Sequence, residues 1–490
     1  MAVRETPAAK ITRLLQSGDN AGALQAANDF LKQSPNSFLA RLGRARANMR
    51  MANYVEAETD ITIALKLSPN DQDARLVRAN MDLRLGKTDE CLSHLRFVAA
   101  ARGPNAVEAS ISILLTLHGA GREEEFLRTA KEPGAWTKDP RAELIFARVT
   151  AIEDKERGIE QLKTVFRSKH HWALRRFAGF EAVGLLDKLK RYREAFDLAS
   201  EVHKATTAPL DMDTWIDPLE LQLKLLDRTP KWYAPRAEPV NGIAFIAAMP
   251  RSGTTLLEQM LDRHPAIGGI GEFDGLDHVC RTLFGQGIWP RSAPSVPTAL
   301  FADLQKRYID GAAQIKKAGA TWTFDKTLRG WRALPEIAAV FPGAVCINVE
   351  RDPRDMATSI FLSYFNPTSY EWTSDFGAIR RIAEYQRRVV PRAFEVLELA
   401  NERIVYEDLV EDPAKFAEQC LGRMGLPMDE AVLSPEQNTK AAFTLSHAQV
   451  RQPINRKSIG RWKNYEWAFD SSWDDIVAAH QARRQYTTPA

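Results

Sequence analysis

The chain has 490 residues, 44% of them hydrophobic and 26% charged, and a formal net charge of +3. That length exceeds what one hydrophobic core holds and implies two or three domains. The near balance of charge argues against a dedicated nucleic-acid binder, whose usual mark is a large basic excess. Four scattered cysteines (Cys91, Cys280, Cys346, Cys420) form no C-x-x-C pair, so reduced core thiols are expected rather than a zinc site or a disulfide scaffold. The first residues, Met1-Ala2-Val3-Arg4-Glu5-Thr6-Pro7, lack the apolar core of a signal peptide. No apolar run approaches the ~18 residues of a membrane span, and the expected location is cytoplasmic.

The chain opens on a repeated helical pattern. Gln33-Ser34-Pro35-Asn36 returns as Leu67-Ser68-Pro69-Asn70, a shift of 34 between Pro35 and Pro69, and Gly103-Pro104-Asn105 follows 35 after that. Ala40, Gly43, Ala45, Tyr54, Ala57 and Ala64 stand where two antiparallel helices must touch. A helix–turn–helix unit of this period, closed by Pro, resembles the tetratricopeptide repeat. The resemblance implies a stacked α-solenoid with a concave surface over residues 1–228. Glu123 to His170 is helical in pattern with degenerate repeats. A further unit is suggested by Gly184-Leu185-Leu186 and Tyr192-Arg193-Glu194-Ala195-Phe196. Three prolines between Asp227 and Pro239 mark residues 229–240 as a linker.

From 241 onward short apolar runs alternate with helical stretches. Ile243–Ala248, Thr321–Phe324, Ala344–Val349 and Arg403–Tyr406 read as strands of a parallel sheet covered on both faces, so residues 241–490 are expected to form an α/β domain. The first strand runs into Pro250-Arg251-Ser252-Gly253-Thr254-Thr255 and then a helical stretch. A tight turn ahead of a helix N-terminus is an anion cradle, because the first helical N–H groups lack intrahelical partners and the helix dipole adds positive charge. Against the phosphate-loop pattern G-x-x-x-x-G-K-[ST], Thr254 stands where the triphosphate-reaching Lys belongs. The cradle suits a phosphate-like group without a triphosphate.

This element resembles the 5′-phosphosulfate loop of sulfotransferases, which use 3′-phosphoadenosine-5′-phosphosulfate (PAPS) and release 3′,5′-adenosine bisphosphate. The resemblance covers about residues 241–465 and implies a P-loop-type fold in which Arg251, Ser252, Gly253, Thr254 and Thr255 hold the donor. A second marker, Arg351-Asp352-Pro353-Arg354 with Ser359 eight residues after Arg351, matches the family's 3′-phosphate contacts. A guanidinium offers a planar fork to phosphate oxygens, and a hydroxyl one turn into the helix adds a neutral donor. Lys326, in Asp325-Lys326-Thr327, matches the family lysine that touches the sulfuryl group, although Leu328-Arg329 departs from the family's usual Pro-containing sequence.

Glu272, in Gly268-Gly269-Ile270-Gly271-Glu272, matches the general base of tyrosylprotein and related tetratricopeptide sulfotransferases. His264 and His278 are its rivals, since many small-molecule sulfotransferases use His. Ser446 and the Arg461 of Gly460-Arg461-Trp462 match the family's closing donor contacts. The resemblance implies in-line transfer, with Glu272 deprotonating an acceptor hydroxyl and Lys326 with Arg251 stabilising the charge that develops. No metal is implied. The acceptor stays open among peptide tyrosine, carbohydrate and small alcohols or phenols, with a peptide or protein on the repeat domain among the candidates. Oligomeric state is not legible. A P-loop kinase would need a Lys at 254 and a metal-binding carboxylate, for which Glu350 is the one candidate. An inactive repeat-protein adaptor is the third reading.

Overall fold

The computed structural model describes residues 5–484, apart from 52, 102, 229–234, 288, 291–294 and 439–451. The chain divides into two compact units, residues 1–142 with 306–315, and residues 143–305 with 316–490.

The first unit carries α1 (Pro7–Gln16), α2 (Asn20–Gln33), α3 (Phe38–Arg50), α4 (Tyr54–Leu67), α5 (Gln72–Arg84), α6 (Thr88–Ala100), α7 (Ala106–Gly119) and α8 (Glu123–Lys131). The starts of α3, α5 and α7, at 38, 72 and 106, are 34 residues apart, as are those of α4 and α6 at 54 and 88. The repetition extends to side chains. Ser37 and Asp71 cap α3 and α5, each filling a helix-end N–H that would otherwise lack a partner. Four residues after each cap an arginine returns to the loop: Arg41 donates to the Pro35 carbonyl and Arg75 to that of Pro69, at 3.0 Å each. Alanines at 40, 45, 57 and 64 are fully buried, which lets paired helices approach closely. Gly43 is required for the same reason, since a Cβ there would stand 2.5 Å from Ile11. Asp60, also buried, pairs with Arg41 and Arg44 at 2.9 and 2.6 Å. These are tetratricopeptide-like hairpins.

The second unit begins with α9 (Ala142–Glu153), α10 (Lys155–Arg167), α11 (Trp172–Lys188), α12 (Tyr192–Thr206) and α13 (Asp213–Leu226). A sheet region follows: β1 (Ile243–Ile246), α14 (Thr254–Leu261), β2 (Ile267–Gly269), α15 (Gly275–Gly285), α16 (Thr298–Ala313), β3 (Trp322–Asp325), α17 (Leu334–Val340), β4 (Val345–Glu350), α18 (Pro353–Phe361), α19 (Phe376–Leu397), β5 (Ala400–Val405), α20 (Tyr406–Glu411), α21 (Pro413–Arg423) and α22 (Asp474–Gln481). The strands lie in the order β2-β3-β1-β4-β5, and every pairing is parallel. Alternate residues face opposite layers, as the pleat demands. Ala244, Ile246, Val345, Ile347 and Val349 join the core with Leu257, Leu261, Phe416 and Leu421. On the other face Phe245 meets Phe341, and Asn348 accepts from Gln386 of α19 at 3.1 Å.

Strand borders shift from expectation by a few residues, and β2 was not expected. Ile267-Gly268-Gly269 is too short and too glycine-rich to carry a strand signature, and only its pairing with β3 makes it one. β5 starts earlier than expected, since the exposed edge residues 400–403 are mostly polar, and Tyr406 opens α20 instead of ending the strand. The C-terminal tail buries Trp473, Ile476, Val477 and His480.

Two buried basic side chains fasten α11 and α12 to the segment around α18. Arg176, fully buried, donates to the Phe365 carbonyl at 2.9 Å and to the hydroxyls of Thr206 and Thr207 at 2.8 and 3.0 Å. His203 Nε2 donates to the Phe361 carbonyl at 2.9 Å, while its Nδ1 accepts from Arg176. The ring is therefore the neutral Nε2–H tautomer. Burial and then the Arg176 charge push its pKa down to about 3. The folded value lies below the ~6.5 of an unfolded histidine. The unfolded chain therefore takes the proton first, and stability declines as pH falls from ~6.5 towards 3. Urea titrations at pH 7 and pH 5 should show wild type losing about 2 kcal/mol more than His203→Gln, which keeps a donor for Phe361 without a titrating ring.

Candidate active site

In a parallel sheet every strand's C-terminal end lies on one edge, where ligands bind in open α/β folds. Lys326 follows β3, Arg351 follows β4 and Tyr406 follows β5. Arg251 and Glu272 lie in the loops after β1 and β2.

The loop after β1 turns through two left-handed residues, Arg251 (φ 67°) and Gly253 (φ 97°). A side-chain-bearing residue keeps that conformation only where its surroundings hold it, and such positions gather at functional sites. Arg251 is held at both ends: its Nε donates to Ser359 Oγ at 2.8 Å, and its carbonyl accepts from Arg351 at 2.9 Å. Gly253 is the position that cannot carry a side chain, since a Cβ would lie 2.1 Å from the Tyr406 ring. Ser252 is buried, with its hydroxyl donating to the Met249 carbonyl at 2.8 Å. Thr254 and Thr255 open α14. The first bond within that helix runs from the Leu257 N–H to the Gly253 carbonyl, so the N–H groups of Thr254, Thr255 and Leu256 lie ahead of it.

Arg351 is buried beneath this loop. One terminal nitrogen donates to the Arg251 carbonyl and the other to that of Ser458, and the guanidinium carbon stands 4.8 Å from the centre of the Tyr406 ring. Its Nε is buried with no hydrogen-bond partner among the described residues. Asp355, one helical turn on at 4.0 Å, is occupied elsewhere. It accepts from the Gly460 and Trp462 N–H groups at 2.7 and 2.8 Å, pinning the turn that carries Arg461 against α18. Arg354 lies over the Trp462 ring at 3.5 Å. Arg461 itself pairs with Asp187 of α11 at 2.7 Å. Burial, then the charges of Arg351 and Arg461, push the Arg251 pKa down to about 10. Glu272 acts on the same group in the opposite sense, so the donor-side cations and the candidate base share one field.

Lys326 is 1% exposed and lies between two carboxylates, with Glu272 Oε1 at 2.9 Å and Glu258 Oε2 at 4.0 Å. Glu258 also accepts from the Gly271 N–H at 2.7 Å, and the Lys326 N–H donates to the Gly271 carbonyl. The Gly-Glu turn is thereby docked on both α14 and β3. Glu272 itself is 43% exposed. His264 is committed to structure: its Nδ1 accepts from the Ala266 N–H and its Nε2 donates to the Pro427 carbonyl, both at 3.1 Å. His278 lies in the first turn of α15, and its N–H donates to the Asp274 carbonyl. A cavity of about 90 Å³ is lined in part by Gln222, Cys280, Arg329, Arg332 and Glu336. Arg329 pairs there with Asp277, five residues after Glu272.

The fold thus gathers Arg251, Ser359 and Arg351 on one side and Lys326 and Glu272 on the other, with Arg461 near Arg251. Ser446 lies outside the described residues. Glu350 does not imitate a metal-binding carboxylate. Burial raises its pKa, but Arg403 at 3.0 Å and Arg483 at 3.1 Å outweigh that and hold it below its ordinary value. Among the described residues no group of three or more His, Cys, Asp or Glu is placed to hold a metal, and no helix is long and apolar enough to cross a membrane. Sequence reasoning missed Glu258, Asp355, Tyr406 and Asp187. The first two had a signal, as acids one helical turn after Thr254 and Arg351. The other two arrive through long-range packing.

Residues 244–430 match the model of a sulfotransferase family. This stretch is a sulfotransferase-family domain. The chain is 27% identical to protein-tyrosine sulfotransferase 1 of Danio rerio over 237 residues, 45% of this chain and 65% of that protein. It is 24% identical to the nodulation protein NoeE of Sinorhizobium fredii (strain NBRC 101917 / NGR234), over 46% of this chain and 61% of that protein. A protein of Aquifex aeolicus (strain VF5) matches at 24% over 59% of this chain and 40% of its own length. The chain spans less than two thirds of each of these relatives. Among solved structures, the sulfotransferase domain of the curacin biosynthetic pathway aligns at TM-score 0.36 and 18% identity, covering 51% of this chain and all of that domain.

The Gly253 geometry is directly testable. Gly253→Ala adds a methyl at a left-handed position against an aromatic ring and should destabilise the sulfotransferase domain by about 1–3 kcal/mol. Gly184→Ala, in α11 with nothing within 4 Å of the new methyl, should be neutral or stabilising by up to about 1 kcal/mol. Thermal unfolding of the two variants side by side measures the contrast.

Proposed function

We propose that the protein moves a sulfuryl group from PAPS to an acceptor hydroxyl. The observation that carries this reading is the unsatisfied cationic pocket. Among the described residues Arg351 keeps a buried Nε without a partner, and Arg251 is buried beside two like charges, with burial first and those charges second depressing its pKa. Such a cluster fits a ligand with more than one anionic group. Arg351 and Ser359 would hold the 3′-phosphate. The 250–255 loop, with the leading N–H groups of α14, would hold the 5′ end, and Arg461 and Ser446 would close over the donor. The donor supplies the activated sulfuryl group.

The residues of this chain supply positioning and proton transfer. Glu272, exposed on one side, accepts the proton of an incoming hydroxyl. Lys326, released from Glu272, would be placed to stabilise charge that develops during transfer, with Arg251 sharing that role. His264 is a poor rival base, because both of its ring nitrogens are occupied. The helical part, 1–228, is assigned to the acceptor, the 229–240 segment to a linker, and the donor contacts to 241–490. A peptide or protein is one acceptor class that a concave repeat surface accommodates. Carbohydrate and small alcohols or phenols remain within the reading.

Calorimetry in the presence of a chelator should detect binding of 3′,5′-adenosine bisphosphate. A preference for ATP–Mg²⁺ over the bisphosphate would overturn the donor assignment. Arg351→Ala should weaken that binding by about 2–5 kcal/mol, the range for truncating a buried charge partner.

Glu272→Gln keeps the size of the side chain and removes its proton affinity. Turnover should fall about 10²–10⁴-fold while affinity for the bisphosphate changes little. If Glu272→Gln turns over normally and His278→Asn does not, His278 is the base.

A further inference from the structure

We infer that Asp187, on a helix that precedes the sheet by more than fifty residues, is a positioning residue for the donor site and acts through Arg461. The inference rests on the donor reading above.

Asp187 is the penultimate residue of α11. A carboxylate at that end faces the negative pole of the helix dipole, which disfavours it, so its stabilisation comes from elsewhere. Both of its oxygens are engaged across the molecule: Oδ2 with Arg461 Nη2 at 2.7 Å, and Oδ1 with the Tyr465 hydroxyl at 2.6 Å. Tyr465 is fully buried, and its ring meets that of Tyr192 on α12 edge-on at 5.4 Å. The Arg461 segment is therefore tied to the helices by one carboxylate and by aromatic contacts with Tyr192 and Phe196.

The peptide groups on either side of Arg461 are already fixed, because Asp355 takes the Gly460 and Trp462 N–H groups. What remains free is the direction of the side chain. Repulsion from Arg251 would turn the guanidinium away from the site. Burial lowers the Arg461 pKa and Asp187 more than restores it, so the carboxylate is the counter-charge that allows a third cation to stay in this cluster. Asp187 engages one nitrogen of the fork. The side chain keeps 23% of its surface exposed. Asp187 thus aims Arg461 while leaving part of its surface open to an anion.

The test uses the full chain and a double-mutant cycle, with 3′,5′-adenosine bisphosphate as the calorimetric probe and circular dichroism to confirm folding. Asp187→Asn and Arg461→Ala should each weaken binding about 5- to 100-fold, the range for members of one salt-bridge network. In the Arg461→Ala background, Asp187→Asn should add less than about twofold. A role confined to structure would leave the Asp187 effect undiminished there. Tyr465→Phe, which removes a bond to the same carboxylate but leaves the ion pair, should stay within about threefold of wild type. If Asp187→Asn does not fold, Asp187→Glu carries the test, because moving the charge by one methylene should still weaken binding severalfold. Wild-type affinity in a folded Asp187 variant, or additive losses in the cycle, overturns this inference alone. Failure of the wild type to bind the bisphosphate overturns the donor reading and this inference with it.

Discussion

Mutual repulsion among Arg251, Arg351 and Arg461 is the constraint around which this end of the sulfotransferase-family domain is organised. Two unit charges 8 Å apart in an effective dielectric of 20 repel by about 2 kcal/mol, so three guanidiniums in one corner require support. The support is mostly uncharged. Arg351 donates to two backbone carbonyls and faces the Tyr406 ring, and Arg251 leans on the Ser359 hydroxyl. Neutral partners hold an arginine in place without cancelling its charge. The nearest carboxylate to Arg351, Asp355, is turned to backbone N–H groups. The positive field is retained and remains available to an anion.

The parallel sheet makes that arrangement possible. Register between β1, β3 and β4 sets Phe245 beside Asp325 and Cys346, so the residues following each strand emerge at one edge. Residues a hundred or more positions apart in sequence become neighbours without a long loop. The left-handed turn at Arg251 and Gly253 then brings the chain round into α14 above them. Tyr406 links the two ends of this construction, as the ring that excludes a side chain at 253 and the surface on which Arg351 rests.

Much of this was legible in the sequence because short motifs fix local geometry. Strand, glycine turn and helix could be read at 243–261, and strand, proline turn and helix at 345–361. The 34-residue step of the repeats was visible in Pro35 and Pro69. Features set by distant partners were not legible. β2 exists because β3 is beside it, and Asp187 acquires its role only when α11 packs near Arg461. Glu258 fell between the two cases. It stands one turn beyond Thr254, yet an acid in an otherwise apolar helix gives no sign of whether it faces water or, as here, a buried lysine. The burial of the C-terminal tail is hard to read for a related reason, since α22 hides Ile476, Val477 and His480 among charged and small residues.

The pairing of Lys326 with Glu272 bears on the protein at rest. The Glu272 oxygen that faces Lys326 is occupied by that bond. In the proposed reading it is released only when a competing anion draws the lysine away, so the donor that arrives also frees the proton acceptor. The coupling between the two resides in 2.9 Å between an exposed glutamate and a buried lysine.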